Sequence, residues 1–239
     1  MRWWTGMVAA LGIAFGASPA SALTLDFEEF THGEIVDESH GVLIATENLN
    51  NAAGHPDLGI AFDTARTGTA DPDLEQGAGW AGGNLAGDNT PLDHILIVQE
   101  NDLGCAIDSI CDDPDDEGGR PAGRFTLDYS DLGTFQTFAF DLVDVESAAM
   151  ENGSVEFLLA GAQVDFFSFD QFLGVSYGDR TANRVDLALV GEFDEVVITL
   201  GGSGGVDNVA TSVPEPSTLA LLSLGLGTLF FARPRKRRA

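Results

Sequence analysis

In several stretches between residues 23 and 210 apolar and polar residues alternate with a period of two, the pattern of strands with one face buried and one face wet. Phe125, Leu127 and Tyr129, for instance, stand against Arg124, Thr126 and Asp128. The pattern predicts strands at 23–30, 42–48, 59–63, 94–100, 124–129, 136–146, 154–160, 163–170, 184–190, 195–200 and 205–210, separated by clusters of Gly, Asn, Asp and Pro. No segment before Ser217 has a convincing period of 3.6. Many short strands with frequent turn signals specify an all-β domain, an antiparallel β-sandwich of jelly-roll type, although closure into a barrel satisfies the same pattern. Phe27, Phe62, Phe125, Phe138, Phe140, Phe157 and Phe166 fall on strand positions and are expected in the core. Residues 63–93 lack apolar periodicity, which predicts either a long functional loop or partial disorder around Trp80.

Both ends break the pattern. The chain opens with Arg2, an apolar run over about 7–15 and the small-residue pattern Ala20-Ser21-Ala22, the layout of a secretory signal peptide cut after Ala22. At the other end, residues 217–232 are uncharged and apolar, and Arg233, Arg235, Lys236, Arg237 and Arg238 follow at once. As a helix the run rises about 24 Å against a hydrocarbon core of roughly 30 Å, a short span whose basic flank favours the cytoplasmic side. Pro214 and Pro216 oppose helix and sheet pairing and hold Glu215 in an extended segment before it. The expected organisation is therefore a signal peptide at 1–22, an ectodomain at 23–212 and a sorting segment at 213–239.

Val-Pro-Glu-Pro-Ser, a short apolar segment and an Arg-rich end resemble the PEP-CTERM sorting signal of Gram-negative bacteria. The resemblance covers residues 213–239. It implies an exosortase-type membrane transpeptidase as partner, acting at or near Pro214, Glu215 and Pro216, and a chain held in the inner membrane before reaching the cell surface or an extracellular polysaccharide matrix.

With the two ends set aside, only five arginines face 37 acidic residues, a formal net charge of −32. Such a surface repels nucleic acid, whose phosphates need Lys and Arg. It suits divalent cations or basic polymers, and it also suits plain solubility or life in high salt. Cys105 and Cys111, the only cysteines, are expected to form a disulfide in an exported chain. Around them Asp102, Asp108, Asp112, Asp113, Asp115, Asp116 and Glu117 offer the oxygen ligands that calcium takes, unless the turn simply lies exposed. Asp113, Asp115 and Glu117, followed by Gly118, resemble an EF-hand frame, but Arg124 stands where the bidentate Glu belongs, so any calcium site here is irregular. The segments "LDFEE" and "GSGGVDNVA" resemble the first and last strands of secreted galactose-binding-like jelly rolls. That resemblance implies a structural calcium held by Asp26, Glu28 and Asp207, with Asn208 beside them. The stretches around 62–74, 84–100 and 112–129 resemble a family of exported β-sandwich proteins with this kind of tail, and imply no activity.

No catalytic constellation stands out. "GGSGG" at 201–205 fits G-x-S-x-G, yet a strand pattern follows it and all four histidines precede Ser203, whereas a nucleophile elbow needs a helix and a later His. There is no H-E-x-x-H, P-loop or dinucleotide fingerprint. The sequence therefore points to a non-enzymatic, calcium-stabilised, structural or adhesive surface protein, with a glycan-binding module or a glycan-active hydrolase or lyase as the alternatives.

Overall fold

The computed structural model describes residues 22–50, 55–76, 80, 82–85, 92–105, 109–187 and 190–212. Twelve strands account for nearly all the regular structure among them. They are β1 (Ala22–Leu25), β2 (Glu38–Ser39), β3 (Val42–Asn48), β4 (Gly59–Asp63), β5 (His94–Val98) and β6 (Gly123–Asp128), then β7 (Thr137–Val143), β8 (Ser154–Leu159), β9 (Ala162–Ser168), β10 (Ala182–Leu187), β11 (Glu195–Leu200) and β12 (Gly205–Ser212). They form two six-stranded sheets in which every pairing is antiparallel. The first runs β10-β7-β12-β5-β4, with β1 also on β12, and the second runs β2-β3-β6-β11-β8-β9. The layout is that of a jelly-roll-like sandwich.

The alternation seen in the sequence builds the core directly. Phe125 and Leu127 of β6, Val155 and Phe157 of β8, and Val196 and Ile198 of β11 point inward from the second sheet and are wholly buried. Phe138 and Phe140 of β7 meet them from the first sheet, with Phe138 edge-on to Phe157 at 5.3 Å between ring centres. Rings in this arrangement place a positive edge on a negative face and add to the burial free energy. Phe166 departs from the expectation: it is 47 % exposed. Phe166 and Phe167 are adjacent in an edge strand, so a two-residue pleat must send one out, and Phe166 lies opposite Glu156 on the outer face while Phe167 lies opposite Val155 on the core side.

A second apolar cluster covers the outside of the first sheet. Ile60, Phe62, Ile95 and Ile97 form its floor, and Leu74, Leu92, Cys105 and Cys111 close over them with the half-buried Trp80. This explains why β4 and β5 are buried on both faces, and why Leu74 and Leu92 are buried although the stretch 63–93 lacks periodicity. Loop residues that reach a core one at a time leave no periodic trace.

β12 is the central strand of its sheet. On one side it pairs with β7; on the other its first half pairs with β5 and its second half with β1, where Ala22 stands opposite Ser212. The β7 register shifts between Asp207 and Ala210, and Asn208 there has φ +46°. The unit with these sheets spans Ser21–Pro214. The expected signal peptide and sorting segment lie outside the described residues, apart from Ala22. Among the described residues no helix is long and apolar enough to cross a membrane, and residues 217–232 are not among them.

Candidate functional site

The end of β5 organises the acidic connection that follows it. Beyond Val98 the chain continues extended, and residues 115–117 run back beside it: Glu100 N–H donates to Asp115 O, Glu117 N–H donates to Val98 O, and Gln99 bridges Asp116. Gln99 is fully buried and its amide fixes this turn, with Nε2 donating to Asp113 O at 2.9 Å and Oε1 accepting from Asp115 N–H at 3.1 Å. Cys105 and Cys111 are joined by a disulfide, and Cys111 N–H donates to Gly33 O, which seats the loop against the edge beyond β4.

This scaffold separates the three acids of the EF-hand-like frame. Glu117 is buried, and its carboxylate accepts from Asn48 Nδ2 (2.9 Å), Asn50 Nδ2 (2.8 Å), Gly119 N–H (2.6 Å) and His55 Nδ1. Burial works to raise its pKa, but these donors prevail and hold it below the usual carboxylate range. Glu100 completes a group with His55 and Glu117 whose ligand atoms lie within 4.8 Å of one another. Asp113 lines a polar cleft of about 270 Å³ with His32, Arg66 and Pro114. Asp115 turns instead to Asp71 and Asp116.

Asp71, Asp115 and Asp116 each place a carboxylate oxygen within 4.8 Å of the other two. Asp71 comes from the β4–β5 connection. Its Oδ1 accepts from Asp73 N–H (3.1 Å) and Leu74 N–H (3.3 Å), an Asx turn that fixes the side chain, while its Oδ2 is buried without a hydrogen-bond partner. Asp116 is 9 % exposed and its Oδ2 accepts from Gly204 N–H in the turn between β11 and β12. Burial, then the neighbouring Asp71, pushes the Asp116 pKa well up, and burial with Glu100 and Asp71 pushes Asp115 up to about 7. Asp144, just after β7, adds a further buried carboxylate; burial raises it to about 8 against the donated Arg180 N–H, and Asp71 adds to the rise.

The five arginines of this part of the chain are all committed elsewhere. Arg66 faces Asp63, Arg120 faces Glu146 and Glu151, Arg124 faces Glu47, Arg180 faces Asp73, and Arg184 faces Asp141. The Asp71, Asp115 and Asp116 group therefore has no arginine of its own.

Asp26, Glu28 and Asp207, expected at the meeting of the domain ends, are near enough to interact electrostatically, but they are not among the described groups whose ligand atoms converge within 4.8 Å. Asp207 is 1 % exposed, and burial, reinforced by Asp141, Glu28 and Asp26, raises its pKa to about 9. Its two oxygens accept from Asn208 N–H (2.6 Å) and Nδ2 (2.7 Å). Glu28 accepts from His94 N–H at 3.0 Å and faces His94 Nδ1 at 3.2 Å, while Asp26 accepts from Glu28 N–H. Sequence reasoning placed Asp116 in the acidic loop without distinguishing it from its neighbours, and it missed Asp71 and Asp144. The available signal for Asp71 was the Asp-Pro-x-Leu turn of "ADPDL", which buries an aspartate oxygen in a turn closed by an apolar residue.

Ser203 lies in the turn from β11 into β12, followed by a strand. Pro214, Glu215 and Pro216 lie outside the described residues. The family whose model matches the chain is described as the PEP-CTERM protein-sorting motif, over residues 212–237. The chain carries a PEP-CTERM sorting motif. The motif makes this an exported, membrane-transiting protein that is a substrate for exosortase processing. It begins at Ser212, the last residue of β12, so the sandwich is complete where the motif starts. None of the curated proteins and none of the solved structures matches the chain.

Proposed function

We propose that this protein is a non-enzymatic structural or adhesive domain of a Gram-negative bacterium, held briefly in the inner membrane by its tail. Exosortase action then delivers it to the cell surface or into an extracellular polysaccharide matrix, and calcium bound by its acidic loops stabilises it there. The observation that carries this reading is the junction of motif and fold: β12 ends where the motif begins, so cleavage near Pro214, Glu215 and Pro216 releases the sandwich with every strand in place. A domain meant to be cut from its anchor needs this arrangement, because losing half of a central strand would expose unpaired backbone and core. The calcium component is supported by the excess of buried and half-buried carboxylates over arginines.

The sorting component is tested in the host by replacing Pro214, Glu215 and Pro216 with alanine. The expected result is a chain that keeps the mass of the tailed form and stays in the membrane fraction, while the unaltered chain is trimmed and released. Normal trimming and release of the alanine variant would refute it. The calcium component is tested by melting the chain in EDTA and then in calcium, with magnesium and sodium chloride as controls. A site filled to about 100 times its Kd stabilises by about 2.7 kcal/mol, a shift on the order of 5 to 10 °C for this size.

A further inference from the structure

Resting on the calcium component of that reading, we propose that Asp71, Asp115 and Asp116 together hold one calcium ion that ties the β4–β5 connection to the β5–β6 connection. Three carboxylate oxygens from two loops far apart in sequence converge within 4.8 Å, and like charges this close repel strongly when two of their owners are buried. Asp71 is 7 % exposed, its Oδ1 is committed to the N–H groups of Asp73 and Leu74, and its Oδ2 is buried with no N–H donor, the Asp71 side chain otherwise meeting only the carboxyl of Asp116. A buried acceptor in that state costs free energy unless a proton or a cation meets it.

Among the described residues no arginine fills that role, since each is paired with another acid. Asp144 is a further acid close enough to interact with Asp71 and Asp116, and Glu100 lies against Asp115. A trio of anionic oxygens without imidazole or thiolate selects a hard cation, and irregular loop ligands suit calcium's flexible 6–8 coordination better than the strict octahedron of magnesium. Asp115 is the more exposed member, which leaves a side open to water ligands. The N–H of Gly204, donated to Asp116 Oδ2, fixes the orientation of that side chain.

The competing arrangement is a proton shared between Asp71 and Asp116, and the experiment separates the two. The full chain, purified in detergent and freed of metal with EDTA, is titrated calorimetrically with calcium chloride and melted with and without it. Four proteins are compared: the unaltered chain, Asp71→Asn, Asp115→Asn and, as a control in the other acidic group, Glu28→Gln. The expected result is a saturable calcium site and a calcium-dependent rise in Tm in the unaltered chain and in Glu28→Gln. In Asp71→Asn and Asp115→Asn the affinity falls at least tenfold and the rise is lost. Asp115→Asn alters a half-exposed group, so it reports on the site even if Asp71→Asn fails to fold.

If calcium raises the Tm of Asp71→Asn and Asp115→Asn as much as that of the unaltered chain, the ion sits elsewhere, and the inference falls while calcium stabilisation survives. If calcium, magnesium and sodium chloride act alike on the unaltered chain, both fall. If calcium has no effect and Asp71→Asn melts in EDTA where the unaltered chain does, the pair holds a proton and the inference is likewise overturned.

Discussion

Gln99 shows how much one buried amide can organise. Its two hydrogen bonds hold the backbone of Asp113 and Asp115, and those residues have no regular strand to hold them. Gln99→Ala leaves a carbonyl and an N–H without these partners, at about 1–3 kcal/mol. The Tm should fall by about 5 °C, and calcium should recover less of it than in the unaltered chain; an unchanged Tm would show that the turn holds itself. His32 makes a pH-dependent counterpart. Its Nδ1 accepts from Asp63 N–H at 3.0 Å, so the neutral ring is the form the fold uses, and burial with the nearby Arg66 lowers its pKa to about 4. The unfolded chain takes up this proton near pH 6.5 and the folded one near 4. The histidine's contribution is therefore complete above 6.5 and is lost as pH falls from there to about 4. Melting His32→Gln beside the unaltered chain should give curves that converge as the pH drops through that window, and parallel curves would remove His32 from the balance.

Strands were legible in the sequence to the extent that packing followed local pattern. β3, β4 and β11 run over the expected residues because each carries an unbroken apolar run or alternation bounded by turn residues. β1 stops at Leu25, earlier than the pattern at 23–30 suggests, since Phe27 adopts φ +57° and turns the chain into the core. β2 is two residues long and offers no period to detect. The convergence of the acidic group is not legible for a related reason: Asp71 and Asp116 are 45 positions apart, and the folding of the β4–β5 and β5–β6 connections brings one beside the other. The turn from β11 into β12 gives an element-scale test. Gly204 has φ +124°, and a Cβ there would lie 2.4 Å from Val143 O, so an L side chain meets both strain and a backbone clash. Gly204→Ala should lower stability by about 2 kcal/mol or more, and because the N–H of that residue serves Asp116, it should weaken calcium binding as well. A variant with native Tm would mean that the turn relaxes freely.

At the scale of the whole molecule, charge and burial pull against each other. Asp144 and Asp207, with pKa values raised to about 8 and 9, keep protons in the folded chain that the unfolded chain has released above about pH 4. Such groups favour folding below their unfolded pKa, and that contribution is lost as pH rises through the folded values. Between about 4 and 6.5 the His32 effect opposes this trend; above 6.5 the carboxyls act alone. In EDTA, the Tm should therefore decline steadily from pH 6.5 to pH 9, which a series of melts will show, and a flat profile would indicate that these acids ionise without cost.

The place of β12 bears on how the domain meets mechanical load. Strand hydrogen bonds lie across the strand axis, so a pull on the tail, directed along β12, strains the ladders to β7, β5 and β1 together and none of them can open one bond at a time. A pull between the two ends of the unit acts differently: Ala22 stands opposite Ser212, so that force peels β1 away bond by bond. Tethered by its tail alone, this sandwich is loaded in shear, the direction in which a sheet resists most; tethered by both ends, it would unzip.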